Sequence, residues 1–212
     1  MLAIEIIQNI KNIKAAGIPT DDTGISDFQW MFIIDYYRAQ LIRNAITKGH
    51  SINQQSIQEL NPNKITLTQS TIEKCEMYTN GLPKAIETQN SILYTFIGTE
   101  KGKSYQRTTY NKSQWDGYSK YIGLLPKWYA LGNKITVVNH SKSLKLNVKG
   151  LFERPIDVVT FNGELDEMNP FNFEYPCSNT MLDSILKMIA DSEMKISMLI
   201  PSDNLNDGKD GQ

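Results

Sequence analysis

The chain has 212 residues, of which 40% are apolar and 21% charged, with a formal net charge of -1. That length suits one domain of ordinary size, or one carrying a sizeable insertion, and the composition supports a buried core, which excludes wholesale disorder. A near-neutral balance makes no global demand for nucleic acid, an anionic membrane or a polyanionic substrate.

Met1 to Lys14 is apolar, but Glu5 interrupts it, and neither a leading basic region nor a small-residue cleavage site marks it as a signal peptide. Its Leu2, Ile6, Ile10 and Ile13, with Ile7 beside them, recur at helical spacing. Gly17 and Pro19 end this helix. Ser26, with Gln29 three residues on, is a capping box opening a second helix that runs to about Lys48 and stops at Gly49. Met31, Ile34, Leu41, Ile42 and Ala45 lie on one side of it, and Trp30, Ile33 and Tyr37 on another. A helix apolar on more than one side is covered by more than one neighbour, which makes Trp30, Ile33 and Tyr37 the candidate inter-subunit residues. Ser51 and Gln54 repeat the capping box and predict a short third helix ending at Asn61-Pro62.

Past Pro62 the apolar period falls to two. Ile65 and Leu67 alternate with Thr66 and Thr68, and the β-branched and aromatic stretch from Ile92 to Thr99 turns at Glu100–Lys103 into a returning strand from Tyr105 to Tyr110. A second hairpin runs from Trp128 through Gly132-Asn133 to Asn139. Leu144, Leu146 and Val148 then alternate with Lys145, Asn147 and Lys149, giving a three-stranded meander with a lysine-bearing outer face. Pro155 closes the sheet region, and 157–175 reads as acidic and irregular. Helix returns with Ser178 as N-cap, striped by Leu182, Ile185, Ile189 and Ile196, and the chain ends in a polar tail.

The expected fold is therefore α+β: a helical bundle built from the N-terminal helices and a C-terminal helix, with an antiparallel β-rich insertion. Its divisions are 1–62 for the N-terminal helices, 63–176 for the insertion, 177–199 for the returning helix and 200–212 for the tail.

Little in the chain points to catalysis. Gly98 to Ser104 ends like a phosphate-binding loop, but Ile97 stands where the first glycine belongs and a strand follows where a helix is needed, so a charged β-turn fits better. His50, His140, Cys75 and Cys177 show neither metal-type spacing nor a nucleophile–base pattern. The expectation is no catalytic residue, no metal and no cofactor. Glu153, Glu164 and Asp166, within an acidic loop that also holds Asp157 and Glu167, leave one enzymatic alternative, a small glycan- or peptide-cleaving hydrolase. Lys142, Lys145 and Lys149 could meet a phosphate backbone, although lysines on an outer strand more often guard an edge against stray pairing.

Several stretches together resemble virion proteins of Bacteroidetes phages: Ile34–Arg43, the glutamine-bearing Ile52–Leu60, Val148–Pro155, Tyr175-Pro176 before the last helix, and Pro201–Gly208. Taken as a set they are similar to a head-to-tail ring (adaptor or connector) protein of crAss-like phages. The resemblance implies a structural protein, not an enzyme, present in twelve copies at the head-tail junction of the virion. It implies docking beneath the portal protein, contact with other tail ring proteins, and a channel continued for double-stranded DNA held without sequence preference. It also implies no membrane partner, assembly in the host cytoplasm, and a role in genome ejection. By the same resemblance Ser202, Asp203, Asn204, Leu205, Asn206 and Asp207 are the candidate portal-docking residues. Another minor virion or tail protein is the remaining alternative.

Overall fold

A computed structural model describes residues 1–14, 25–69, 76–79, 81–89, 91–116, 125–139 and 145–194. Helix α1 (Ala3–Lys14) buries Ile6, Ile7 and Ile10, while Ile13, expected on the same stripe, is exposed. Helix α2 (Asp27–Thr47) begins at the expected capping box. The Gln29 amide donates to Ser26 Oγ, and the Ser26 amide donates to the Gln29 side chain. It ends at Lys48, where Gly49 takes a φ of 74° that other residues resist.

The third helix does not form. Gln54–Ser56 makes one 3-10 turn, and the chain then extends as strand β1 (Gln58–Leu60). The Asn53 side chain caps that turn in place of Ser51, accepting from the Gln55 amide. Strand pairing wins over the local capping signal, because β1 lies antiparallel to β10 (Leu146–Gly150), itself paired with β6 (Tyr94–Thr99).

The second sheet runs β2 (Leu67–Gln69), β3 (Glu76–Thr79), β9 (Lys134–Val138), β8 (Lys127–Leu131) and β7 (Gln106–Arg107). The β8–β9 hairpin turns at Gly132-Asn133 as the sequence predicts. The meander does not continue, since β10 leaves β9 for the other sheet. The return along β6 is brief: Ser104 bridges Gly98 and the Tyr105 amide donates to the Ile97 carbonyl at 2.8 Å, and β7 then runs parallel to β8. A short hairpin, β4 (Glu87–Thr88) and β5 (Ser91–Ile92), completes the strands.

Helix α3 (Tyr110–Asp116) follows β7, and helix α4 (Pro155–Asn162) occupies part of the stretch expected to be irregular. Proline in the first turn and Gly163 in a left-handed C-cap at φ 73° are the start and stop of α4. Helix α5 (Asn179–Ile189) starts as predicted, with Ser178 Oγ accepting from the Met181 amide, and continues into a π-helical turn, Ala190–Met194.

These elements replace the expected helical bundle. The first core joins α1, α2 and α5 to a non-helical strap, Phe171, Phe173 and Tyr175. The strap pairs with the chain start: the Ala3 amide donates to the Phe173 carbonyl and the Tyr175 amide to the Met1 carbonyl, both at 3.0 Å. A second core, including Leu60, Ile97, Trp128, Val137, Val148 and Phe152, is shared by the two larger sheets and reached by Val158 of α4. A third, smaller cluster sets Ala39 and Ile42 of α2 against Ile86 and Leu151. Helix α2 thus faces the helical core at one end and the sheets at the other, and the β structure is part of the body of the fold.

Candidate assembly surface

Met31, Asp35, Arg38 and Ile42 follow one another at steps of four, three and four along α2, so they share one face. Two of the four are charged, and all four are buried. Buried ions persist only when their hydrogen bonds are met. Arg38 meets its own with backbone carbonyls from three distant segments: Nε donates to Pro176 at 3.0 Å, Nη1 to Phe152 at 2.8 Å and Nη2 to Ser56 at 3.2 Å. One side chain therefore ties α2 to the start of α5, to the end of the β10 segment and to the 3-10 turn.

Asp35, 4% exposed, accepts a hydrogen bond from the Tyr175 hydroxyl. Its Oδ2 has no hydrogen-bond partner among the described residues. Burial pushes the Asp35 carboxyl up to about 7, with Tyr175 and Arg38 pulling the other way. The Tyr175 phenol is held well above its ordinary range by its own burial and by the Asp35 charge.

A flanking face of this firmly held helix, about a quarter-turn round from the first, is aromatic and largely exposed. Phe28, Phe32 and Tyr36, each four residues from the next, are 62%, 64% and 54% exposed. At a rise of about 1.5 Å per residue, the eight steps from Phe28 to Tyr36 cover about 12 Å along the helix. Phe28 leans edge-on against Phe171 of the strap, 4.9 Å between ring centres. Beside it a hollow of about 450 Å³ opens between Ile4, Asp27 and the 168–172 segment. At the other end Phe32, Tyr36 and Ala39 border a hollow of about 170 Å³ with Asp35, Arg43 and Glu153 in its wall.

The predicted inter-subunit residues fall differently. Trp30 and Tyr37 are buried in the chain's own first core, and Ile33 packs half-buried against it. The helix is apolar on several sides as read, but these residues face inward and the open side belongs to Phe28, Phe32 and Tyr36. The i, i+4, i+8 aromatic spacing was the available signal for that stripe. The candidate portal-docking residues Ser202, Asp203, Asn204, Leu205, Asn206 and Asp207 lie outside the described residues, as do Lys142, His140 and Cys75.

Of the candidate acids, Glu153 is held by Arg43 at 2.6 Å and Lys84 at 3.1 Å. Glu164 and Asp166 are exposed beyond α4, where Asp166 accepts from the Met168 amide. Lys149 pairs with Glu59 of β1 at 2.8 Å, and Lys145 donates to Asn63. Because β10 is the middle strand of its sheet, these lysines do not guard an edge. Gly98–Ser104 forms the tight turn expected of it: the Thr99 amide donates to the Lys103 carbonyl, and β7 follows directly. Among the described residues no cluster of His, Cys, Asp and Glu could hold a metal ion, and no helix is long and apolar enough to cross a membrane.

The sequence matches the model of a family described as phage tail ring protein 2, of crAss-like phages, over residues 5–212. The chain belongs to this family. No curated protein matches it. As a phage tail ring protein it is a structural component of the virion. The exposed aromatic face of α2 and its hollows are then features of a chain that works by contact with other protein surfaces.

Proposed function

We propose that the chain assembles with copies of itself into a ring of twelve at the head-tail junction, docks beneath the portal protein and continues the channel for double-stranded DNA. The observation that carries this reading is the family match across nearly the whole chain. The geometry is in keeping with it: a rigidly anchored helix presents an aromatic face, and the candidate catalytic Glu153 is occupied by two ion pairs. Docking falls to the polar segment 202–207, with other tail ring proteins on the far side of the ring and DNA held without sequence preference. Assembly takes place in the host cytoplasm.

The test is deletion of the protein from the phage, followed by negative-stain imaging of purified particles. DNA-filled heads carrying normal tails would sink the proposal. The expected result is heads without attached tails, with restoration when the full chain is supplied in trans. Rotational averaging of the restored junction then counts the copies.

A further inference from the structure

The net charge of -1 conceals a separation of sign along the chain. Between Glu100 and Glu153 stand ten Lys and Arg and a single acid, Asp116, a balance of +9. The rest of the chain carries twelve Lys and Arg against twenty-two Asp and Glu, a balance of -10. The fold keeps the two signs apart. The basic stretch supplies three of the strands of the five-stranded sheet (β7, β8 and β9), helix α3 and then β10. Helices α1 and α5 and the 164–174 segment carry the exposed acids Glu5, Glu164, Glu167, Glu174, Asp183 and Asp191.

The positive charge is densest along one edge of that sheet, where β7 is the last strand. Lys101 and Lys103 lie in the turn before β7, Arg107 on it and Lys112 on α3 just after it, and all four are exposed. Among the described residues no carboxylate pairs with any of them, whereas Lys84 and Lys149 are held by Glu153 and Glu59. Exposed neutral donors stand between the cations: Ser104, Gln106, Thr109 and Asn111. Guarding an edge against stray pairing needs charge on the strand itself, and only Arg107 of the four stands there. The chemistry fits a phosphate backbone better than an acidic protein. Lysine is depleted where proteins meet one another, because its compact charge is strongly hydrated. Phosphates are met by Lys as a point charge, together with Arg and the hydroxyl and amide side chains of Ser, Thr, Asn and Gln.

We propose that the edge formed by the 101–103 turn, β7 and α3 is the surface by which this chain touches double-stranded DNA, through the phosphate backbone and without regard to sequence. The assignment deepens the function proposed above and rests on it for the place at which chain and DNA meet. The acidic helical part is repelled by the same phosphates, so the separation of sign sets which side of each copy faces the duplex.

The test titrates a labelled duplex with the purified full-length protein and follows fluorescence anisotropy at several salt concentrations. Neutralised phosphates release counterions, so affinity should fall steeply with salt, and equally for two duplexes of unrelated sequence. The variant K101Q/K103Q/R107Q/K112Q should lose at least tenfold in affinity. The slope of log affinity against log salt should become shallower by about 3 to 4, at about 0.9 for each cation removed. The smaller variant K101Q/K103Q should change the slope by about 2, and it leaves Arg107 in place over the Trp128 ring should the fourfold chain melt early. K48Q/K187Q, which removes two exposed cations of the helical part, should leave the slope as it is. The assignment is overturned by no binding at low salt, by a slope that both edge variants leave unchanged, or by an equal change in K48Q/K187Q. It is also overturned if polyglutamate of equal charge displaces the DNA, since an acidic protein surface would then fit as well. Deletion and imaging stay a separate test. Tailless heads together with a chain that ignores DNA would defeat this inference alone, and normal tails without the protein would defeat the proposed function.

Discussion

The Tyr175 hydroxyl lies 2.8 Å from Asp35 Oδ1, joining residues 140 positions apart in a buried contact. Tyr175 belongs to the strap that pairs with the chain start, and Asp35 to the helix that bears the exposed aromatic row. The bond therefore fixes the inner face of α2 against the segment that leads into α5.

This contact makes stability depend on pH in a definite direction. Burial raises the Asp35 carboxyl from 3.8 to about 7, so the folded chain binds the proton more tightly than the unfolded chain does. The contribution is fully present below the unfolded value and is lost as pH rises through the folded one, a span worth about 4 kcal/mol at most. D35N keeps an acceptor for Tyr175 and cannot ionise. Denaturant titrations from about pH 4 to about pH 8 should show the native protein losing more stability than D35N. Parallel profiles would show that Asp35 does not titrate in this range.

Arg38 gives a sharper prediction. R38A removes the donor from three buried carbonyls, those of Pro176, Phe152 and Ser56. Leaving such groups unpaired costs about 3–5 kcal/mol. R38K keeps the charge but not the planar fork, and should recover less than half of the loss. Thermal unfolding of the three proteins measures it, and an R38K midpoint equal to that of the native chain would contradict the argument.

Gly98 is set by close approach, with no positive φ. A Cβ added there would stand 2.2 Å from the Lys103 carbonyl oxygen, which is backbone and accepts from the Thr99 amide. G98A should destabilise by about 1–3 kcal/mol, as overpacking does. G49A, where a Cβ meets nothing within 4 Å, should cost only the left-handed strain of about 1 kcal/mol. Equal losses at the two sites in chemical denaturation would refute this difference.

Removal of residues 202–212 bears on docking. Among the described residues, none beyond Ala190 joins the three cores. The truncated chain should melt within a few degrees of the full one and fail to co-sediment with the portal protein. A truncated chain that unfolds would overturn the division between folded body and docking tail.

Much of the local structure was legible. The capping box at Ser26 and Gln29, the N-cap at Ser178 and the turn at Gly132-Asn133 are signals carried by a few adjacent residues, and each formed as read. Helix α4 was legible too, in Pro155 and Gly163, but the acidic residues between and beyond them read as loop. Met31, Asp35, Arg38 and Ile42 stand in the sequence at four-three-four spacing, but nothing in it named the three carbonyls that Arg38 serves.

Sequence alone determined where α2 starts and stops, where α5 starts, where the β8–β9 hairpin turns, that the chain carries a sizeable core, and, through its resemblance, the family to which it belongs. Tertiary structure alone decided that 58–60 pairs as a strand instead of extending a helix, that β10 joins β1 and β6 instead of β9, and that Trp30 and Tyr37 face inward while Phe28, Phe32 and Tyr36 do not. The reason is range. Caps and two-residue turns are satisfied within a few positions of the chain. Strand partners and the covered side of a helix apolar all round are chosen by segments a hundred residues away, whose contribution no local pattern records.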